Sequence, residues 1–491
     1  MSTTGTRVRR NEYRDSGTLM SLAAKLQALP GITRAAAIMA TPKNVELLTS
    51  MGFASEPATS SDLLVVVEGA SAEAVDQALN AIDALLQRRA GFSPSGRAEA
   101  RPTSPPNLAV ISVPGPFAAR EARRALRAAQ HVFLFSNNVP LADELALKSE
   151  ARERGLLLMG PDCGTAILDG TPVGFANRVR RGAIGIVGAS GTGIQEISTL
   201  VHRLGRGVSH AIGTGSRDLS DAVGGSSTLH GIDLLARDEA TEVIVLVSKP
   251  PSPAVAARVR EHAAQTGKRI IECFLGGDKT LEDAAFEACG LPLPDRRSLI
   301  AARVIGLYSG GTLASEARRI TKGDVTDLGE DEYTRGRPHP MIDPAIRIER
   351  IAHVPADAVL LLDVVLGEGA HPDPAGALLP ALIARNGTTY ASVTGTDDDP
   401  QHRASQVEKL RAAGVIVCRS NAAAARGDES DLPAAMPAPS QTSSNILGAP
   451  IVAINYGLDS FADTFAQVIR TDWRPPAGGD EELARILDAL S

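Results

Sequence analysis

Two short loops carry the residue types best suited to chemistry in this 491-residue chain. Ala183 to Val187 reads as a strand, and Gly-Ala-Ser-Gly-Thr-Gly follows. A helix then begins, with Ile194, Ile197, Leu200, Val201 and Leu204 on one apolar stripe. The same order recurs downstream: a strand from Arg303 to Tyr308, then Ser309-Gly310-Gly311-Thr312, then a helix. A helix N-terminus presents unpaired backbone N–H groups and a partial positive charge. Glycines let an anion approach that backbone, and Ser or Thr adds a hydroxyl donor. The pattern points to phosphate on Ser190, Gly191, Thr192, Ser309, Gly310, Gly311 and Thr312. A single loop of this kind is as easily an ordinary N-cap after a tight turn. The repetition favours the anion, because two helix starts can then aim at one ligand. The glycines do not fall at G-x-G-x-x-G spacing, and no G-x-x-x-x-G-K-[ST] occurs, so neither a dinucleotide turn nor a P-loop is supported.

A second candidate is Arg335 to Pro344, Arg-Gly-Arg-Pro-His-Pro-Met-Ile-Asp-Pro, where prolines stiffen a loop holding Arg337, His339 and Asp343. Arg337 suits a bidentate carboxylate or phosphate, and His339 or Asp343 a proton transfer. A rigid surface loop with solvated charges is the plain alternative. Lys249, at the end of a strand before Pro250-Pro251, suits an oxyanion or, equally, solvent. Gly215 and Arg217 lie in a turn after another strand, and Asn137, Asn138, Asp162 and Cys163 fall at further strand ends, where α/β folds gather small ligands. These six are candidate substrate-binding residues.

The elements that must position these groups read as strand and helix in alternation from Asn107 onward, which implies parallel sheets covered by helices. Thr192 and Thr312 lie 120 positions apart, and the strands VIVLVS and VLLLDVV echo each other at a similar offset. A period this long is a domain duplication. The expected fold class is α/β: a Rossmann-like unit and two duplicated flavodoxin-like units behind a small N-terminal α+β unit. The expected boundaries are an ACT-like or ferredoxin-like unit at 1–90, a Rossmann unit at 107–180, and flavodoxin-like units at 181–300 and 301–420. A linker at 421–446 and a tail element at 447–491 follow. Gly91 to Pro106, rich in Pro and Ser, reads as another linker. Trp473, the single tryptophan, sits apart from any helical pattern and divides evenly between packing and a site role.

Composition narrows the class. A formal charge of −7, no Lys/Arg block and 3% aromatic residues argue against a nucleic-acid partner. No run of about 18 apolar residues is present, so no membrane span is expected. Four scattered cysteines without a CxxC pair fit a cytoplasmic protein and give no metal signal.

The order of these motifs resembles a known family. From about residue 107 to 420, VISVPGPFAAREA, LLLMGPDCG, GAIGIVGASGTGIQE and HAIGTGSRDL are similar to the alpha subunit of NDP-forming acyl-CoA synthetases, whose type case is succinyl-CoA synthetase. RVIGLYSGGTLASEA through AVLLLDVVLG resembles the carboxy-terminal domain of its beta subunit. In that family, one helix from each domain points its N-terminus at the active-site phosphate, which implies that role for Ser190–Thr192 and Ser309–Thr312. Three departures stand against the likeness. No histidine occurs between His262 and His339, where the phosphohistidine loop would lie; Lys249 replaces the glutamate that steadies it; and the CoA-binding glycine loop is missing. The combination MGPDCGTAI, GASGTGIQE, VSKPP, GLYSGGTLA and GRPHPMIDP resembles the FdrA family nearly end to end. Its allantoin-pathway member is implied to be a subunit of oxamate carbamoyltransferase, working with two further subunits. The resemblance implies phosphate as a substrate, oxalurate or a related N-carbamoyl acid as the other, and partner subunits in a hetero-oligomer. The departures argue against CoA as a cofactor. An acyl-CoA ligase completed by partner subunits, and a scaffold without chemistry, are the alternatives.

Overall fold

The computed structural model describes residues 2–486 apart from 11, 15, 51, 55, 60, 61, 88–103, 297–299, 335–337, 438–445, 449, 458–463, 472, 481 and 485. Most of the segment read as a linker at 91–106 lies outside the described residues, as does Arg337.

The N-terminal unit runs β1 (Thr3–Arg9), α1 (Ser16–Gln27), β2 (Ile32–Met39), α2 (Pro42–Ser50), β3 (Leu63–Gly69), α3 (Ala72–Asn80) and α4 (Ile82–Gln87). β3 lies between β1 and β2 and is antiparallel to both, a split β-α-β arrangement. Its run of apolar residues follows from burial on both faces. Leu63, Val65 and Val67 meet Leu19, Leu22 and Val75, while Leu64 and Val66 meet Leu48 and Phe53.

The next segment holds β4 (Leu108–Ile111), α5 (Gly115–Arg127), β5 (His131–Leu134), α6 (Leu141–Glu153) and β6 (Leu158–Met159). The chain then leaves this sheet. It builds β7 (Thr165–Leu168), β8 (Thr171–Gly174), β9 (Arg181–Ala189), α7 (Gly191–Arg203), β10 (Val208–Gly213), α8 (Ser226–Arg237), β11 (Val243–Ser248), α9 (Pro253–Ala264), β12 (Arg269–Phe274) and α10 (Leu281–Ala288). A third run follows: β13 (Val304–Tyr308), α11 (Gly311–Thr321), β14 (Asp324–Asp327), α12 (Asp331–Thr334), α13 (Ala345–Ile351), β15 (Val359–Val365), α14 (Pro374–Ala384), β16 (Thr389–Thr394), α15 (Arg403–Ala412), β17 (Ile416–Cys418) and α16 (Asn421–Arg426). It closes with β18 (Ala453–Tyr456) and β19 (Val468–Arg470).

The sheet orders identify the architecture as α/β. β14-β13-β15-β16-β17 is all parallel and flavodoxin-like, and β10-β9-β11-β12 repeats its first four strands. β7 and β8 form a hairpin that extends this second sheet, although the sequence reading put them with the Rossmann unit. The tail is not separate either. β18 pairs in parallel with β4, and β19 with β18, giving β19-β18-β4-β5-β6. Val468–Arg470 is thus a strand of this sheet and not part of a separate tail. No local periodicity announces a pairing between residues about 340 positions apart, as Leu108 and Ala453 are.

The linker expected from residue 421 also begins too early. Asn421–Arg426 is a helix with every residue buried, N-capped by Ser420 through Ala423 N–H at 3.0 Å. Its alanines fill the space beside α11, and Ala425 joins a core shared by both duplicated units. That core contains Ile194, Ile197 and Leu200 of α7 together with Leu313, Ala314 and Ala317 of α11. Polar contacts cross the same interface reciprocally. Glu196 on α7 accepts from Asn421 N–H at the start of α16 (2.9 Å), and Glu316 on α11 accepts from Leu281 N–H at the start of α10 (2.7 Å). Each unit thus places a carboxylate at a helix N-terminus of the other, where negative charge is favoured. Burial nevertheless pushes Glu316 up to about 7 and Glu196 above the usual carboxylate range. Replacing Glu316 by Ala strands Leu281 N–H and removes one of the two bonds from Asn421 Nδ2, the 2.8 Å one, leaving that to Leu313 O at 3.0 Å. A loss of about 2–4 kcal/mol is expected in denaturant unfolding, with α10 and α16 opening first in hydrogen exchange.

Candidate functional site

Helices α7 and α11 bring their first turns into contact. Ser190, at the end of β9, caps α7 by accepting from Gly193 N–H at 3.1 Å. Its hydroxyl also bonds Thr312 Oγ1 across the interface at 2.6 Å. Gly310 begins α11 without a side-chain cap, and a Cβ there would lie 2.9 Å from Thr192 Cγ2. Glycine is what lets the second loop sit this close to the first. The amides of Gly191, Thr192, Gly311 and Thr312 belong to first turns and have no intrahelical acceptor. The two positive helix ends therefore converge, as the repeated loops predicted.

The two halves differ in one respect. Asp363, in the middle of β15, is fully buried and accepts from Ser309 N–H (2.8 Å), Ser309 Oγ (3.0 Å) and Gly310 N–H (2.7 Å). Arg347 on α13 balances it at 3.1 Å. By strand register the matching residue of the other unit is Val247 on β11. This corrects the expected phosphate set. Ser309 and Gly310 already hold an internal anion, so the second loop offers Gly311 and Thr312.

A polar cluster adjoins Gly311. A Cβ on that glycine would meet Asp327 Oδ2, and would lie 3.0 Å from Lys249 Nζ. Lys249 stands exposed at the end of β11, and Asp327 ends β14. Asp327 Oδ1 accepts from Gly329 N–H at 2.9 Å. Burial pushes its carboxyl up to about 6, against the opposing pull of the Gly329 bond and the Lys249 charge. His339 Nε2 lies 2.5 Å from where a Gly329 Cβ would stand. Its Nδ1 accepts from Met341 N–H at 3.2 Å, so the neutral ring carries its proton on Nε2. Desolvation pulls this imidazole down to about 4, so at neutral pH it is an uncharged donor beside Gly329 and not a base.

Other expected residues lie elsewhere. Arg217 bonds Val139 O (2.7 Å) and Glu144 (2.8 Å), beside the buried Lys148–Asp218 pair at 2.6 Å, so it serves structure and not a substrate carboxylate. Asp343 accepts from Ala345 N–H at 3.0 Å, a local turn at the start of α13. Asn137, Asn138 and Asp162 are exposed at the carboxyl ends of β5 and β6. Cys163 is buried and burial pushes its thiol up to about 12, which keeps it protonated and out of any ligand's reach. Gly215 packs against Pro161 O at positive φ, a backbone requirement and not a binding role. Asp327 and Asp363 were missed, though Asp363 has a sequence signal. Asp363 is an acid inside an otherwise apolar run, and Asp327 lies at the end of β14.

Comparison with known proteins adds the following. Residues 1–102 match the family described as AllF, heavy metal-associated domain, 179–276 the CoA binding domain, and 307–430 the CoA-ligase family. The first description names a metal, yet residues 1–102 contain neither cysteine nor histidine, so neither a thiolate nor an imidazole is there to hold one. Among the described residues no group of three or more His, Cys, Asp and Glu could hold a metal ion. No helix of the described residues is long and apolar enough to cross a membrane. The chain is 40% identical to the uncharacterized protein YahF of Escherichia coli (strain K12), over 84% of this chain and 96% of that protein. It is 32% identical to succinate–CoA ligase [ADP-forming] subunit alpha 2 of Archaeoglobus fulgidus, over 35% of this chain and 58% of that subunit. A dinucleotide-forming acetyl-coenzyme A synthetase of Ca. Korarchaeum cryptofilum aligns over 67% of this chain and 82% of its own at 13% identity, with a TM-score of 0.29.

Asp327 gives a test by stability. Its folded pKa of about 6 lies above the unfolded value of 3.8, so its contribution is fully present below pH 4 and is lost as pH rises through 6. Asp327→Asn removes that loss. Its unfolding free energy should exceed the parent's at pH 8 by roughly 2–3 kcal/mol, with the gap closing at pH 4.

Proposed function

The chain belongs to the FdrA family, together with YahF, and from that membership we propose that it is a subunit of a carbamoyltransferase of the succinyl-CoA synthetase fold. It would interconvert oxalurate, or a related N-carbamoyl acid, plus phosphate with oxamate plus carbamoyl phosphate in allantoin or purine catabolism. The observation carrying this reading is the convergence of two helix N-termini beside Lys249, with no histidine between His262 and His339 to relay a phosphoryl group.

Phosphate would sit on the amides of Gly191, Thr192, Gly311 and Thr312, with the Ser190 and Thr312 hydroxyls turning from each other to the ligand. Lys249 would hold the anion as a point charge. A phosphate oxygen attacks the carbamoyl carbon, the carbonyl electrons move to oxygen, and a tetrahedral oxyanion forms. When it collapses, the C–N bond breaks and the departing nitrogen of oxamate takes a proton. Asp327, titrating near 6, suits that proton transfer, and the Nε2–H of His339 suits donation to the oxyanion. With Arg217 committed to Glu144, the substrate carboxylate falls to Arg337 in this reading. Asn137, Asn138 and Asp162 would serve a partner or product path and not the reacting atoms.

A second reading, an NDP-forming acyl-CoA ligase completed by partner subunits, is favoured by the CoA binding domain and CoA-ligase matches. Calorimetry separates the two, since the first expects no heat on adding CoA. The decisive assay is phosphorolysis of oxalurate by the complex with its partner subunits. Carbamoyl phosphate should form, and Lys249→Met should raise the KM for phosphate at least tenfold with a smaller change in kcat. No carbamoyl phosphate from any N-carbamoyl acid would overturn the assignment.

A further inference from the structure

The parallel sheet β19-β18-β4-β5-β6 has the order of a Rossmann sheet, with the strand order reversing between β4 and β18. The crevice outside the carboxyl ends of those two strands is where open α/β sheets take a small ligand. Here the chain fills it with a side chain of its own. Tyr13 lies between β1 and α1, on the N-terminal unit. Its hydroxyl donates to Ser112 O at 2.6 Å, one residue past β4. Its ring stands against Gly457, one residue past β18, where a Cβ would come within 2.8 Å of Tyr13 Cε1. The Trp473 ring meets it edge-on at 4.7 Å between centroids, and Phe117 of α5 meets the same tryptophan at 6.0 Å. Tyr13 thus packs against two cores at once, that of the N-terminal unit and that of the Rossmann-like unit.

The fit is built from both sides. On the N-terminal unit, Glu12 pairs with Arg9 at 2.6 Å and with Arg14 at 2.9 Å, and these two ion pairs brace the turn that carries Tyr13. On the Rossmann-like unit, the helix end that would meet a ligand's anion is already covered. A Cβ on Gly115, the first residue of α5, would lie 2.5 Å from both Asn137 O and Asn138 O. The next residue, Pro116, has no N–H to offer. Carbonyl oxygens at a helix N-terminus oppose the anion that such an end otherwise attracts. We propose that the crevice is a socket for this chain's own N-terminal unit, with Tyr13 as its plug, and that docking of the unit and entry of a small ligand exclude each other.

Scattering, hydrogen exchange and fluorescence on the full chain test this. Tyr13→Ala removes the plug. Gly457→Ala sets a methyl against the Tyr13 ring from the socket side and leaves the N-terminal unit unaltered. Both should raise the radius of gyration in small-angle scattering and speed amide exchange at Ser112 and Gly457 at least tenfold. Trp473, the single tryptophan, should shift its emission to longer wavelength in both. Tyr13→Phe keeps the ring and should stay docked by all three measures. β3 should keep its protection in every variant, since the N-terminal unit stays folded when undocked. Parent values in Gly457→Ala, or loss of β3 protection there, overturn the proposal. So does a saturable change in Trp473 emission when AMP is added to the parent chain, because the crevice then takes a ligand with the unit docked. None of these outcomes depends on the carbamoyl-transfer reading.

Discussion

Two helix N-termini held face to face are the constraint on which the rest of this molecule depends. Each carries a partial positive charge, so bringing α7 and α11 together costs electrostatic energy unless something offsets it. The structure offsets it from three sides. Asp363 takes the outermost amides of the second loop and is itself balanced by Arg347. Glu196 and Glu316 lie one turn further along their helices, each bonded into the other unit. Ile197, Leu200, Leu313 and Ala317 join one apolar core, and that burial is the term able to outweigh the repulsion. An anion between the loops would complete the same arrangement, which is why the site and the interface are the same place.

The duplication explains the symmetry of this arrangement, and its breakage explains the chemistry. Both units place a Ser/Thr and glycine loop after their first strand. Only one has an acid within its central strand, where the other has Val247. Lys249 from one unit and Asp327 from the other then meet on one side of Gly311, with His339 further on, against Gly329. The cluster combines a fixed cation, a carboxyl near neutrality and an uncharged imidazole donor. Neither unit alone supplies all three.

The third sheet sets the frame around this pair. The chain begins a Rossmann sheet, interrupts it to build both duplicated units, and returns to complete it with β18 and β19. Leu108–Ile111 becomes a central strand only once that return is made. The N-terminal unit docks where the two halves meet, through Tyr13, and Trp473 packs between it and α5.

Local pattern made much of this legible. Apolar runs bounded by glycines marked the parallel strands, the stripe Ile194–Leu204 marked α7, and the offset between Thr192 and Thr312 marked the duplication. These depend on neighbours in the chain, which a sequence displays directly. Arg217 was misread because its commitment to Glu144 and Val139 lies across 73 to 78 positions. Asp327 was missed because an acid at a strand end has no meaning until Lys249 stands opposite. The alanines of 421–426 looked like a linker because small residues pack only when something large surrounds them. The sequence by itself determined the elements, the repeat and the two loops able to take an anion, since each follows from periodicity and backbone chemistry. Only the tertiary structure decided which donors Asp363 already occupies, which carboxyl is raised and where the tail pairs, because those depend on groups that share space and not sequence.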